Sequence, residues 1–292
     1  MTIGIDLTDT PLRAVVVDPT GAVVARFEQP LTSAGIAQAL KLARKSAKAA
    51  AGDEAQLGFA TLQPGEPVSA EAREALAGVG GTMIDAGAAA VLAETWCGAA
   101  VESRNVATLS VGRHVTAGAI VDGRLLRGAH GSAIGIAWLA VNPVERDDYR
   151  RHGGLEAEIS AAGIVKRFVW RIKAGDHSTV EAQVAGDFSR VTVDHILGAA
   201  RANDGVSVSV VRDTIRYVGL AVANLVTILD PEWIVLGGML PTVGEIMLEP
   251  VRQECHRRLP PTHAERLRIV VSTLGADAVA IGAARAAMLA RS

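Results

Sequence analysis

The residues whose type and spacing best suit ligand binding are Gly237 and Gly238, in the stretch Leu229–Leu240, LDPEWIVLGGML. Trp233, Ile234, Val235 and Leu236 form a short, almost wholly apolar run, the pattern of a buried strand. Paired glycines at the carboxyl end of such a strand let a ligand approach the backbone closely, because no Cβ stands in the way. Ligands of open α/β sheets bind at that end. The same pair could instead serve only a tight turn into Met239 and Leu240. The spacing favours a nucleotide-type loop if the rest of the chain supplies partners. Cys97 and Cys255 are far apart in the sequence and lack metal-ligand spacing, so they read as free thiols of a reducing compartment.

Positioning such a loop requires a sheet and the helices that cover it. The chain has 292 residues, enough for one large α/β domain or two of ordinary size. Hydrophobic residues make up 49% and charged residues 21%, which excludes a disordered chain. Aromatics are only 3% and alanine supplies much of the apolar content, which suits helices packed closely on a sheet. A net charge of -2 gives no bulk case for a nucleic-acid or anionic-membrane partner. No basic leader and no membrane-length apolar run is read, and a cytoplasmic protein is expected.

Strands are predicted at Thr2–Asp6, Arg13–Asp18 and Ala22–Phe27, with hairpin chemistry in Asp18-Pro19-Thr20-Gly21. A helix over Ala34–Ala51 follows the cap candidates Thr32 and Ser33. Next come a strand at Gln56–Leu62, a break at Pro64-Gly65-Glu66-Pro67, a short helix at Ala70–Gly78, a strand at Thr82–Asp85 and a helix at Ala88–Ala100. The pattern restarts after Ser103-Arg104-Asn105 with strands Val106–Val111, Val115–Val121 and, past an Asp122-Gly123 turn, Arg124–Leu126. VVVDPTGAVV and GAIVDGRLL are matching pieces, so an internal duplication is predicted. Helices are expected at Gly154–Lys173, Val191–Arg201, Val206–Leu229, Glu245–Leu259 and Ala276–Arg291, with a strand at Leu267–Leu274. Pro231 ends the long apolar helix before the glycine pair.

The run Gly219–Glu249, GLAVANLVTILDPEWIVLGGMLPTVGEIMLE, closely resembles the ROK family of repressors, open reading frames and sugar kinases. GRLLRGAHG (Gly123–Gly131), VLAETWCGAA (Val91–Ala100) and STLGADAVAIGAA (Ser272–Ala284) resemble further segments of that family, in order. The resemblance implies two duplicated ribonuclease H-like, actin-like ATPase domains flanking a cleft. Residues 1–102 with 277–292 would form the N-terminal domain and 103–276 the C-terminal one. It also implies ATP- and Mg2+-dependent phosphorylation of a sugar hydroxyl, and a homodimer, for which Trp170 and the apolar stretch Val206–Val211 are candidate surfaces.

Matched against the family motifs, the chemical residues are largely replaced. The first phosphate loop resembles D-x-G-G-T-K in the family; here it reads Asp6-Leu7-Thr8-Asp9-Thr10-Pro11. Asp6 and Thr10 match. Both glycines are gone, Asp9 places a negative charge where phosphate oxygens would sit, and Pro11 removes an N–H donor. The second loop, L-G-T-G-I-G-G-G in the family, is Val111-Gly112-Arg113-His114-Val115-Thr116-Ala117-Gly118. Gly112 remains, and Arg113 and His114 either bind an anion by charge or are solvated turn residues. The family's N-D-A-N-A-A-A-L motif, which carries the catalytic base, aligns without gaps so that Asp85 falls at the Asn position. A one-residue insertion restores Asp85 as the base, and otherwise it caps the following helix.

The sugar-gripping E-I-G-H becomes Gly135-Ile136-Ala137-Trp138, with Trp138 read as a core residue or a stacking platform. The cysteine-rich zinc loop corresponds to Asn142–Gly154, which has no cysteine, so no zinc is expected. Glu156 is the one sugar-contacting carboxylate that matches. The expectation is a ligand-binding or regulatory protein with a sugar-kinase fold and little or no kinase activity. The alternative is an atypical sugar or polyol kinase with Asp85 as base, Asp6 for Mg2+ and Arg113 for phosphate. No helix-turn-helix is read, so no nucleic-acid partner is expected.

Overall fold

A computed structural model describes residues 1–51, 55–62 and 69–290. The break predicted at Pro64–Pro67 and the last residue of the predicted closing helix, Arg291, lie outside them. The first half contains β1 (Thr2–Asp6), β2 (Leu12–Val17), β3 (Val23–Gln29), α1 (Ser33–Ala51), β4 (Gln56–Thr61), α2 (Ala70–Leu76), β5 (Thr82–Asp85) and α3 (Ala86–Cys97). The sheet order is β3-β2-β1-β4-β5. β1, β2 and β3 pair antiparallel, while β4 and β5 continue parallel to β1. Asp18 closes the β2–β3 hairpin, its Oδ1 accepting from the N–H groups of Thr20 at 2.8 Å and Ala22 at 3.0 Å.

The second half repeats this plan. It contains β6 (Val106–Val111), β7 (Val115–Val121), β8 (Arg124–Leu125), α4 (Asp147–His152), α5 (Gly154–Ile159), α6 (Ala161–Lys173), α7 (Val180–Gln183), α8 (Val193–Arg201), α9 (Gly205–Leu229), β9 (Trp233–Gly238), α10 (Gly244–His256), α11 (Pro261–Arg266), β10 (Arg268–Val271) and α12 (Ala278–Leu289). The second sheet runs β10-β9-β6-β7-β8. β6, β7 and β8 are antiparallel and β9 and β10 are parallel to β6, the same arrangement as in the first sheet. Asp122 (φ 51°) and Gly123 (φ 77°) both take the left-handed conformation that a two-residue β7–β8 turn requires.

The layers run from α1 and α2, through the first sheet, through α3 and α12, to the second sheet and its covering helices α5, α6, α8, α9 and α10. α3 and α12 are buried nearly all round, which explains why their apolar residues show so little helical amphipathicity. Their contacts need small residues. A Cβ on Gly87 of α3 would stand 1.9 Å from the Ala117 carbonyl oxygen of β7, and one on Gly282 of α12 1.7 Å from that of Ala89 of α3.

The structure corrects several sequence expectations. The helix predicted over Gly154–Lys173 is two helices, broken at Ser160, whose Oγ caps α6 by accepting from Gly163 N at 3.2 Å. α4, α7 and α11 occupy stretches for which the sequence predicts no helix. Val206, Val210 and Val211 are buried, so that stretch is not an exposed apolar surface. Trp138 is 61% exposed and is not a core residue.

Candidate cleft between the two sheets

β1, β4 and β5 run parallel and end together, and the candidate residues Asp6 and Asp85 sit at those ends. Asp6 closes β1 and is 5% exposed. Its Oδ1 accepts from Thr8 N at 2.8 Å and Thr8 Oγ1 at 2.6 Å, which folds the loop back over the carboxylate. Burial pushes the Asp6 carboxyl up from its ordinary value, opposed by the bonds from Thr8. Asp9 adds to that rise and Arg13 opposes it. Asp9 Oδ1 accepts from Thr10 N at 2.7 Å, so this second carboxylate is held in the loop where the family has glycine.

Asp85 closes β5. It lies opposite Thr61 of β4, whose neighbour Ala60 lies opposite Asp6. Two strand spacings put the backbones of the two aspartates roughly 10 Å apart. Asp85 Oδ1 caps α3 by accepting from Ala88 N at 2.8 Å. Burial raises the Asp85 carboxyl, while the Ala88 N–H and the charge of Arg127 pull it down. Arg127 was missed from the sequence, although it lies in the quoted segment GRLLRGAHG.

The second sheet contributes the β6–β7 hairpin. Gly112 N donates to His114 O at 3.1 Å, and Gly112 O accepts from Ala161 N, at the start of α6, at 2.8 Å. Arg113 Nη1 donates to Thr10 Oγ1 at 3.3 Å, so side chains of the β1–β2 loop and the β6–β7 hairpin meet. Glu156 of α5 is held at both oxygens: Oε1 lies 3.2 Å from His114 Nδ1, and Oε2 accepts from Val115 N at 3.1 Å. It therefore ties the hairpin to α5.

Gly237 and Gly238 end β9 beside β6. A Cβ on Gly237 would stand 2.6 Å from Ser110 Oγ, and one on Gly238, where φ is +69°, 2.1 Å from Val111 O. The backbone of the neighbouring strand requires glycine at 238, whereas at 237 the only close atom is the Ser110 hydroxyl, which can rotate away. Immediately before Gly135, Ile134 takes φ +58°, a strained conformation for a β-branched residue.

Asn142–Gly154 holds α4 and an ion-pair network in place of a cysteine-rich loop. Glu158, nearly fully buried, accepts from Arg146 Nη1 at 3.1 Å, from Arg167 Nη2 at 2.8 Å and from Tyr149 Oη. Asp148 bridges Arg146 at 2.6 Å and Lys166 at 2.7 Å. The Arg146 guanidinium, with help from Lys166, holds the Asp148 carboxyl well below the usual carboxylate range. Sequence reading also missed buried Glu94 of α3, which accepts from Ala99 N at 2.8 Å and from Ser272 Oγ after β10. A lone charge among the alanines of Ala88–Ala100 was the available signal. Among the described residues, no group of three or more His, Cys, Asp or Glu is placed to hold a metal ion. No helix among them is long and apolar enough to cross a membrane.

Comparison with known proteins places this arrangement. The sequence model of the ROK family matches residues 81–290. A glucokinase of Halalkalibacterium halodurans is 33% identical over 198 residues, covering 66% of this chain and 59% of that one. A xylose repressor of Caldicellulosiruptor bescii is 28% identical over 200 residues, covering 66% of this chain and 48% of the repressor. The chain thus spans only about half to three-fifths of these two relatives. A crystal structure of a ROK family glucokinase from Streptomyces griseus, in complex with glucose and AMPPNP, superposes with a TM-score of 0.79 at 24% identity, over 97% of each chain. With its two sheets of repeated topology and the matched stretch covering more than half its length, the chain belongs to the ROK family.

Proposed function

We propose that this ROK-family chain is a ligand-binding or regulatory protein whose cleft no longer carries out sugar phosphorylation at a useful rate. The observation that carries the reading is the Arg113–Thr10 bond across the cleft, with Asp9 beside it. Phosphoryl transfer depends on positioning and on electrostatic stabilisation of the phosphates. Here side chains and a second carboxylate occupy the two loops that would cradle them. The residues of these two loops do not fit a triphosphate–Mg2+ group. Glu156, already bonded by His114 and Val115 N, keeps a carboxylate at the rim for a hydroxylated, sugar-like ligand. Domains of 1–102 with 277–292 and 103–276 are the division this reading assumes.

A coupled ADP-release assay over a panel of sugars with Mg2+-ATP tests the proposal, alongside calorimetry with the same sugars in the absence of ATP. Sugar binding without turnover is expected. Sugar-dependent turnover in the range of ordinary kinases, about 1–100 per second, overturns it.

The second reading, an atypical ATP- and Mg2+-dependent sugar or polyol kinase, is favoured by one feature: Asp85, half-buried with a raised pKa, stands across from Asp6 at the ends of parallel strands. Under that reading Asp85 is the base, and Asp85→Asn abolishes turnover while the fold persists. Of the two candidate faces for the homodimer implied by the resemblance, Val206–Val211 is buried and Trp170 is 68% exposed, so Trp170 is the one that remains. Light scattering at the monomer mass contradicts the dimer.

A further inference from the structure

We propose that the cavity between α6 and α9 is a second binding site, selective for a small organic phosphate that carries a flat apolar ring. The cavity measures about 1170 Å³, ample for a ligand of drug-like size. α5 separates it from the cleft. Glu156 points to the β6–β7 hairpin, whereas Glu158, two residues on and so on the opposite side of the helix, lines the cavity.

Charge is the first argument. Seven of the lining residues are Lys or Arg and three are Asp or Glu, in a chain of net charge -2. Several of these cations are paired: Arg167 and Arg146 with Glu158, Lys166 with Asp148, Arg171 with Asp176. Lys173 is the exception. No carboxylate lies within ion-pair distance of it among the described residues. The positive surplus selects against metal cations and gives an anion an attraction that a neutral sugar lacks. An anion gains from the surplus field and from a free ammonium at the wall.

Shape and apolar surface supply the second argument. Trp170 lines the cavity yet is 68% exposed. An indole left open beside a concave, cation-lined wall is available to a planar ring. Across from it on α9, Tyr217 is held in place by the Arg167 guanidinium, 5.5 Å from the ring centroid. Val169 and Leu220 complete the apolar wall. A second copy of this chain fits poorly, since a two-fold contact would bring two positive faces together.

The test is calorimetric titration of the full chain with 1-naphthyl phosphate, and with 1-naphthol and inorganic phosphate as its separate halves. The whole compound is expected to bind in the micromolar to millimolar range, at least tenfold more tightly than either half, and more weakly as salt rises. Lys173→Glu and Trp170→Ala should each weaken binding at least fivefold, with unchanged melting temperature. Both positions are open to solvent, so neither variant is expected to unfold. Absence of binding at millimolar ligand, affinity indifferent to both variants, or naphthol binding as well as its phosphate overturns the inference. So does a dimer that Trp170→Ala converts to monomer while ligand has no effect. Sugar turnover in the cleft leaves this result untouched, so the two proposals fail separately.

Discussion

Asp85 serves two demands that can be separated by substitution. Its Oδ1 satisfies Ala88 N at the start of α3, and burial disfavours its charge. Replacing it with Ala removes the cap and should cost about 1 kcal/mol. Asn keeps an acceptor oxygen and carries no charge. The sign of the pH effect follows from the raised folded pKa. The stabilisation linked to the protonated carboxyl is fully present below the ordinary value of 3.8 and is lost as pH rises through the folded value. Asp85→Asn should therefore gain on the parent chain as pH increases from 4 to 7, while Asp85→Ala stays below Asp85→Asn throughout. Denaturant melts of the three chains over that range check it; equal pH profiles for parent and Asn variant refute the burial argument. Asp85 was legible in the sequence as a cap or a base, and the structure makes the cap explicit. Arg127 was not legible as its neighbour, because the two are 42 positions apart and meet only when the sheets are in place.

At the scale of elements, α4, α5 and α6 are joined by charge where the family has a cysteine-rich loop. Glu158 sits at the centre, nearly buried, with three side-chain donors. Removing one partner from such a cluster leaves uncompensated buried charge. Glu158→Ala strands Arg167, whose side chain is only 15% exposed, and should cost about 3–5 kcal/mol in chemical denaturation. A loss within 0.5 kcal/mol would mean that the network is ornamental. Asp148 adds a pH signature of the opposite sign to that of Asp85. Its folded pKa is depressed, so its contribution is present above 3.8 and lost as pH falls through that value toward the folded one. Asp148→Asn should flatten the acid side of the stability profile. The absence of cysteines was readable from the sequence, but the replacement was not. RDDYRRHGG is a dense run of charges that fits a solvated loop equally well, and pairing with Lys166 and Arg167 is decided by the turn at Ser160. That turn was hidden because apolar spacing continues through it.

Over the whole molecule, the two sheets do not touch as sheets; they meet through α3 and α12. The duplication was legible because strands, Asp-Gly turns and apolar runs recur in the sequence, and the matching sheet orders follow from it. The closeness of the middle layer was not legible, since a glycine in a helix reads as a weak point until its neighbour is known. Gly4 and Gly58 of the first sheet admit α12, Gly282 of α12 admits α3, and Gly87 of α3 admits β7. This chain of backbone approaches crosses the molecule from one sheet to the other. A methyl group at Gly87 would meet the Ala117 carbonyl at 1.9 Å, backbone against backbone, with no flexible side chain to yield. Gly112 in the β6–β7 hairpin is the control, because a Cβ there meets nothing closer than His114 O at 3.9 Å. Gly87→Ala should lower stability by about 1–3 kcal/mol or more through overpacking, whereas Gly112→Ala should change it by less than about 0.5 kcal/mol. If thermal melts show the two variants equally stable, the lobes are not held by this layer, and the cleft geometry set by it must have another origin.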